Sequence, residues 1–180
     1  MYALFDIGGT KTRIAVSCDL KMFDELVKFD TPQSYEAGVT AIAGAIKEMS
    51  RSEKIIRAAG GIRGPLNADR TGISSDDVLT DWQGKPLAAD LFREIGALVF
   101  LENDAALAGL GEAHDGAGKG FGIVAYHTIS TGMGGVRIVD GVIDKNSMGF
   151  EPGHQVIDVD QTLCPACKSA DLEDYISGIA

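Results

Sequence analysis

The pattern of the first eighteen residues of this chain returns, imperfectly, some way past its middle. The apolar run Tyr2-Ala-Leu-Phe-Asp-Ile7 leads into Gly8-Gly9-Thr10, and the alternating, β-branched run Thr12–Cys18 follows. Gly122–His127 is again apolar, Ser130-Thr-Gly-Met-Gly-Gly135 is again a turn, and Val136–Val139 again continues as a strand. Each copy therefore reads as a strand, a glycine turn bearing a threonine, and a strand carrying Arg-Ile. Such a repeat predicts duplication of one fold unit, each copy opening with a hairpin.

The elements between the copies set the fold class. Residues 22–30 supply a third strand, and Tyr35–Met49 places Ala, Val, Ile and Met at helical spacing. Lys54–Ala59 reads as a strand, followed by the turn-rich run Gly60–Asn67. Pro86 suits the first turn of a helix reaching Ile95. Ala97–Leu101 is a fully apolar strand, and Asn103–Ala113 is a helix of small residues. Three antiparallel strands, then helix, strand, helix, strand, helix, describe an α/β chain of ribonuclease H-like, actin-like ATPase fold. The glycine-rich run His114–Gly122 reads as a hinge, giving domains at 1–115 and 116–180. In the second, Asp140-Gly141 marks a hairpin before Val142-Ile143, and a helix starts near Leu172. Nothing there matches the helix–strand–helix–strand portion of the first domain. The expectation is one complete N-terminal domain plus an incomplete second one, in a shortened chain or one that borrows structure from a partner.

A net charge of −10 without a basic stripe excludes nucleic acid and anionic membrane as main partners. No apolar run approaches the ~18 residues of a membrane span, and Asp6 brings a charge too early for a signal peptide. Three cysteines, with Cys18 in a strand-like run, do not make a disulfide framework, so a cytoplasmic location is expected.

The turns carry the chemistry. In Asp6-Ile-Gly-Gly-Thr-Lys-Thr12 the glycines let backbone approach a polyanion and present N–H groups to phosphate oxygens. Thr10 adds a hydroxyl, and Asp6 at the strand end can hold Mg²⁺ through water. The bland alternative is an ordinary Gly-Gly hairpin. A Walker A loop is ruled out, because the Gly-Lys-Ser/Thr ending and its helix are missing. The second turn repeats the device, and two such turns facing across a cleft would grip the β- and γ-phosphates of a nucleotide between them.

Leu101-Glu-Asn-Asp104 ends one element and opens the next, where ligands sit in open α/β sheets. Asp104 suits a general base on a hydroxyl, with Asn103 bonding a neighbouring one; equally, either residue suits a helix cap. Gly149-Phe-Glu-Pro-Gly-His154 sets a carboxylate and an imidazole three residues apart, for sugar hydroxyls or simply for a polar surface turn. His154, Cys164 and Cys167, with Asp171 as an oxygen ligand, suggest Zn²⁺; a redox pair or two buried thiols are the alternatives.

Together these residues resemble the ROK family of sugar kinases from residue 2 to the end. The matching stretches are Asp6-Ile-Gly-Gly-Thr-Lys11, Gly61-Ile-Arg-Gly-Pro-Leu-Asn67, Asp81-Trp-Gln-Gly-Lys-Pro-Leu87, Glu102-Asn-Asp-Ala105, Ser130-Thr-Gly-Met-Gly-Gly135 and Glu151-Pro-Gly-His154. The resemblance implies phosphorylation of a hexose or N-acetylhexosamine by ATP, with Asp104 as the catalytic base. It implies that Asn103, Glu151, His154 and Glu173 contact the sugar, with Gly64 near it. Asp6, Gly8, Gly9, Thr10 and Lys11 in the first turn, and Thr131, Gly132 and Gly134 in the second, would bind ATP phosphates with Mg²⁺. A homo-oligomer, a dimer, is implied too. In the family's zinc module further cysteines are expected where Ala166 and Asp171 stand, so the His154–Cys164–Cys167–Asp171 set would be an altered site. The family's adenosine-binding portion lies further along than Ala180, so weak turnover is expected of this chain alone. The competing reading is a truncated, catalytically inactive sugar-binding or sugar-sensing protein of the same family, against which the retained Asp104 argues.

Overall fold

The computed structural model describes residues 1–23, 25–130, 132–144, 152–165, 167, 169 and 170–178. Packing divides the chain after Asp104 into two units, Met1–Asp104 and Ala105–Ala180.

The first unit is a five-stranded sheet with order β3-β2-β1-β4-β5. Its strands are β1 (Tyr2–Ile7), β2 (Lys11–Ser17), β3 (Leu26–Asp30), β4 (Arg57–Ile62) and β5 (Leu98–Asn103). The first three form an antiparallel meander, whereas β4 and β5 run parallel to β1. Cys18, expected within β2, lies just past its end and is exposed. Helix α1 (Tyr35–Met49) returns the chain from β3 to β4, and α2 (Leu87–Ile95) from β4 to β5. Ser34 caps α1 by accepting the Ala37 N–H. The buried stripe Tyr35, Val39, Ile42, Ala43 and Ile46 has helical spacing and meets Ile7, Ile14 and Ile62 from the sheet.

Strand β4 shows why its boundaries differ from the sequence expectation. Gly60-Gly61 reads as a turn, yet both residues lie inside the strand, paired with Phe5 and Asp6 on one side and Leu101 and Glu102 on the other. A Cβ at Gly60 would fall 2.2 Å from the Phe5 carbonyl oxygen. Close approach of neighbouring backbone, rather than a turn, requires that glycine.

In the second unit, β6 (Ile123–Ile129), β7 (Met133–Val139) and β8 (Val142–Ile143) form an antiparallel sheet. Asp140 and Gly141 join the last two strands with both φ angles positive, at 50° and 76°, as the tightest hairpin turn demands. Ala106 of α3 (Asp104–His114) packs against Val136 and Ile138, with Leu110, Val124 and Tyr126 around them. Gly109 permits this contact, because a Cβ there would lie 2.4 Å from Val136 Cγ1. A short 3₁₀ turn at Pro152–His154 and α4 (Leu172–Ile176) complete the described elements. Among the described residues no helix is long and apolar enough to cross a membrane.

Candidate functional site

Sheet register gathers the polar residues of the first unit at one edge. Ile7, Ile62 and Asn103 are aligned across β1, β4 and β5, and the chain leaves these three strands through Gly8, Arg63 and Asp104. The exits of parallel strands are where an open α/β sheet binds ligands. Gly8 N–H closes the first turn on Lys11 O at 3.0 Å, and Thr31 Oγ1 donates to Gly8 O at 2.7 Å. Thr10 is exposed at the tip, and its carbonyl accepts Thr31 N–H at 2.9 Å. Asp6 accepts from Arg13 Nη1 at 2.6 Å, and Lys11 is bonded to Asp30. At the neighbouring exit Gly64 has φ +84°, and its carbonyl accepts from Asn103 Nδ2 at 3.3 Å. That bond fixes the amide next to Asp104. Glu102 receives Asn103 N–H at 2.9 Å and is paired with Arg70.

In the second unit the other glycine turn is tied to α4. Met133 N–H donates to Glu173 Oε2 at 2.6 Å, and a Cβ at Gly132 would fall 2.8 Å from that oxygen. Gly134 stands opposite Thr128 in the β6–β7 hairpin. Thr131 and Glu151, both expected in the site, lie outside the described residues.

The donor set does not support the zinc expectation. Cys167 N–H donates to Cys164 O at 3.1 Å in a tight turn that brings their Cα atoms to 5.4 Å, and the two sulfurs form a disulfide. Paired sulfurs supply no thiolate for a metal. The pairing agrees with the redox-pair alternative rather than with two separate thiols. Asp171 is used elsewhere: it caps α4 through Asp174 N–H at 3.1 Å and meets His154 Nδ1 at 3.2 Å. The Asp174 N–H foremost, and His154 after it, hold the Asp171 carboxyl below its usual range. Among the described residues no group of three or more His, Cys, Asp or Glu is placed to hold a metal ion.

What organises this segment is Asp158, which sequence reasoning missed. Its carboxylate accepts from Tyr175 Oη at 2.6 Å and from the N–H groups of Thr162, Leu163 and Cys164 at 3.0, 2.9 and 3.4 Å. The Tyr175 hydroxyl first, then those N–H groups, lower its pKa to about 2, and the same bond raises Tyr175 to about 12. A depressed carboxylate pKa adds stability above its ordinary value of 3.8, lost as pH falls through the folded value of about 2. Asp158→Asn is therefore expected to lower the melting temperature near neutral pH, with the gap from the parent closing toward about pH 2. A gap independent of pH, measured by circular dichroism, would refute the ionic role of Asp158.

The ROK family pattern matches residues 2–180. Over 177 residues the chain is 33% identical to glucokinase of Streptomyces coelicolor, covering 97% of this chain and 56% of that kinase. Over 193 residues it is 31% identical to N-acetyl-D-glucosamine kinase of Escherichia coli O127:H6, covering 99% of this chain and 63% of that one. A ROK family glucokinase from Streptomyces griseus, solved in complex with glucose and AMPPNP, matches with TM-score 0.79 at 30% identity, over 98% of this chain and 57% of that chain. The fold is thus the α/β, actin-like ATPase fold expected from the element order. The chain spans little more than half the length of these relatives.

Proposed function

The chain belongs to the ROK family, and on that premise we propose that it carries the sugar- and phosphate-binding residues of an ATP-dependent hexose or N-acetylhexosamine kinase. The observation that carries this reading is the convergence of the Gly8-Gly9 turn, Gly64 and Asp104 at the exits of three aligned parallel strands. The relatives support it, being a glucokinase, an N-acetylglucosamine kinase and a structure holding glucose with an ATP analogue.

Asp104 acts as the base. Its carboxylate takes the proton of a sugar hydroxyl as that oxygen attacks the γ-phosphorus, and the bond to ADP breaks. Asn103, anchored on the Gly64 carbonyl, orients a neighbouring hydroxyl, and Glu151, His154 and Glu173 bind others. N–H groups of the two glycine turns, at Gly8–Lys11 and Thr131–Gly134, receive phosphate oxygens. Asp6 offers hard oxygen beside the first turn, with its side chain 42% exposed, and so fits a hydrated Mg²⁺ ion, which neutralises phosphate charge when bound. Since the chemistry is chiefly positioning and charge neutralisation, these residues need little beyond correct placement.

The test is a thermal-shift screen against glucose, N-acetylglucosamine, N-acetylmannosamine and fructose, with and without Mg-ATP. One sugar is expected to raise the melting temperature by several degrees, as about 2.7 kcal/mol is gained at a hundredfold excess over Kd. No shift with any sugar, in a chain that melts cooperatively, would remove the reading.

A further inference from the structure

The proposed chemistry leaves Arg63 unused, although it stands beside the first glycine turn. It follows β4 directly, and its N–H donates to Ile7 O at 3.1 Å. Its Nε donates to Asp76 Oδ2 at 2.7 Å, and the Asp76 side chain is only 2% exposed. Asp76 is itself fixed, accepting the N–H groups of Val78 and Leu79 at 2.8 and 2.6 Å. Nη2 reaches Asp77, whose side chain is 87% exposed, at 2.9 Å. Nη1 is turned to Gly9: a methyl group there would sit 2.6 Å from it. The guanidinium is thus gripped on one side by a buried carboxylate, bridged on another to a solvated one, and aimed at the turn. Exposed ion pairs are worth little and exchange readily.

We propose that Arg63 is an anion-binding residue of the first glycine turn, donating through Nη1 to the terminal oxygens of a polyphosphate. Nη2 joins it when the ligand displaces the Asp77 carboxylate. Asp76 is a positioning residue, presenting the planar fork in the orientation that two phosphate oxygens require. The inference rests on the phosphate reading of that turn and adds a second cation beside Lys11, which is paired with Asp30. It also explains why position 9 is glycine: a side chain would fill the space between Nη1 and the turn.

The test is calorimetric titration of the whole chain with magnesium tripolyphosphate, which lacks a nucleoside, alongside a glucose titration. Arg63→Gln is expected to weaken tripolyphosphate binding about tenfold or more and to leave glucose binding unchanged, while Arg63→Lys recovers part of the loss. Asp77→Asn, which removes the competing carboxylate at an exposed position, is expected to tighten binding about two- to threefold. Tripolyphosphate bound by the parent and equally well by folded Arg63→Gln overturns the inference and leaves the phosphate turn standing. No binding by the parent removes the phosphate turn and the inference together. Should Arg63→Gln fail to fold, Asp77→Asn decides: tighter binding supports the role of Arg63, and unchanged or weaker binding overturns it.

Discussion

Asp104→Asn is expected to keep sugar binding and to lose phosphoryl transfer by about 10²- to 10⁴-fold. The substitution separates the two roles open to a carboxylate at a strand–helix junction. Asp104 is the first residue of α3, immediately after β5, where a carboxylate gains only about 0.3–1 kcal/mol from the helix dipole. If Asp104 only ends the strand and starts the helix, the amide replaces it with little change in stability or rate. If it takes the hydroxyl proton, the amide has no basic oxygen and transfer collapses while the melting temperature holds. Coupled ADP release, measured on the chain extended with the family's adenosine-binding portion, gives the rate, and calorimetry with the sugar gives the binding. Near-parent transfer by the folded variant would leave Asp104 as a first-turn helix residue and place the base elsewhere.

The second large effect is on stability. Trp82→Ala is expected to destabilise the first unit by about 3–5 kcal/mol, a large part of the roughly 5–15 kcal/mol that holds a domain folded. Trp82 is 1% exposed and meets Tyr35 edge-on, with ring centroids 5.5 Å apart. Its indole N–H donates to Pro32 O at 3.2 Å, so truncation opens a cavity and strands a carbonyl acceptor. Gly38 of α1 makes room for the ring, because a Cβ there would fall 2.1 Å from Trp82 Cζ2. Neighbouring Asp81 accepts Tyr35 N–H at 2.8 Å, at the start of α1. The stretch Asp81–Leu87, which read only as one matching motif among several, therefore fastens α1 to the segment that enters α2. Urea unfolding measures the effect, and a loss below about 1 kcal/mol would refute this account of Trp82.

Much of the fold was legible because the signals were local. Helix α1 was expected at its observed ends, since its stripe repeats every three or four residues. The Asp140-Gly141 turn was legible because few residue pairs tolerate two positive φ angles. Strand β4 was placed three residues early, because its glycines are explained by Phe5 on the neighbouring strand and by nothing within β4 itself. Of the candidate site, the glycine turns and Asp104 stood out by residue type at element ends. Arg63 did not, although an arginine set in a glycine turn after a buried strand was visible in Gly61-Ile-Arg-Gly64. What gives it meaning is Asp76, thirteen residues on, and that pairing is tertiary.

The cysteines mark the same boundary. Residue types and spacing at His154, Cys164, Cys167 and Asp171 were compatible with a metal, but spacing does not say which groups already have partners. The turn that joins the two sulfurs and the helix start that takes Asp171 decided that. By itself the sequence determined the duplicated strand–turn–strand pattern, the element order and the family, since these follow from periodicity, backbone tolerance and short motifs. Only the tertiary structure decided which polar groups meet, because a hydrogen bond or an ion pair depends on distances of about 3 Å that residues far apart in the chain reach only when folded.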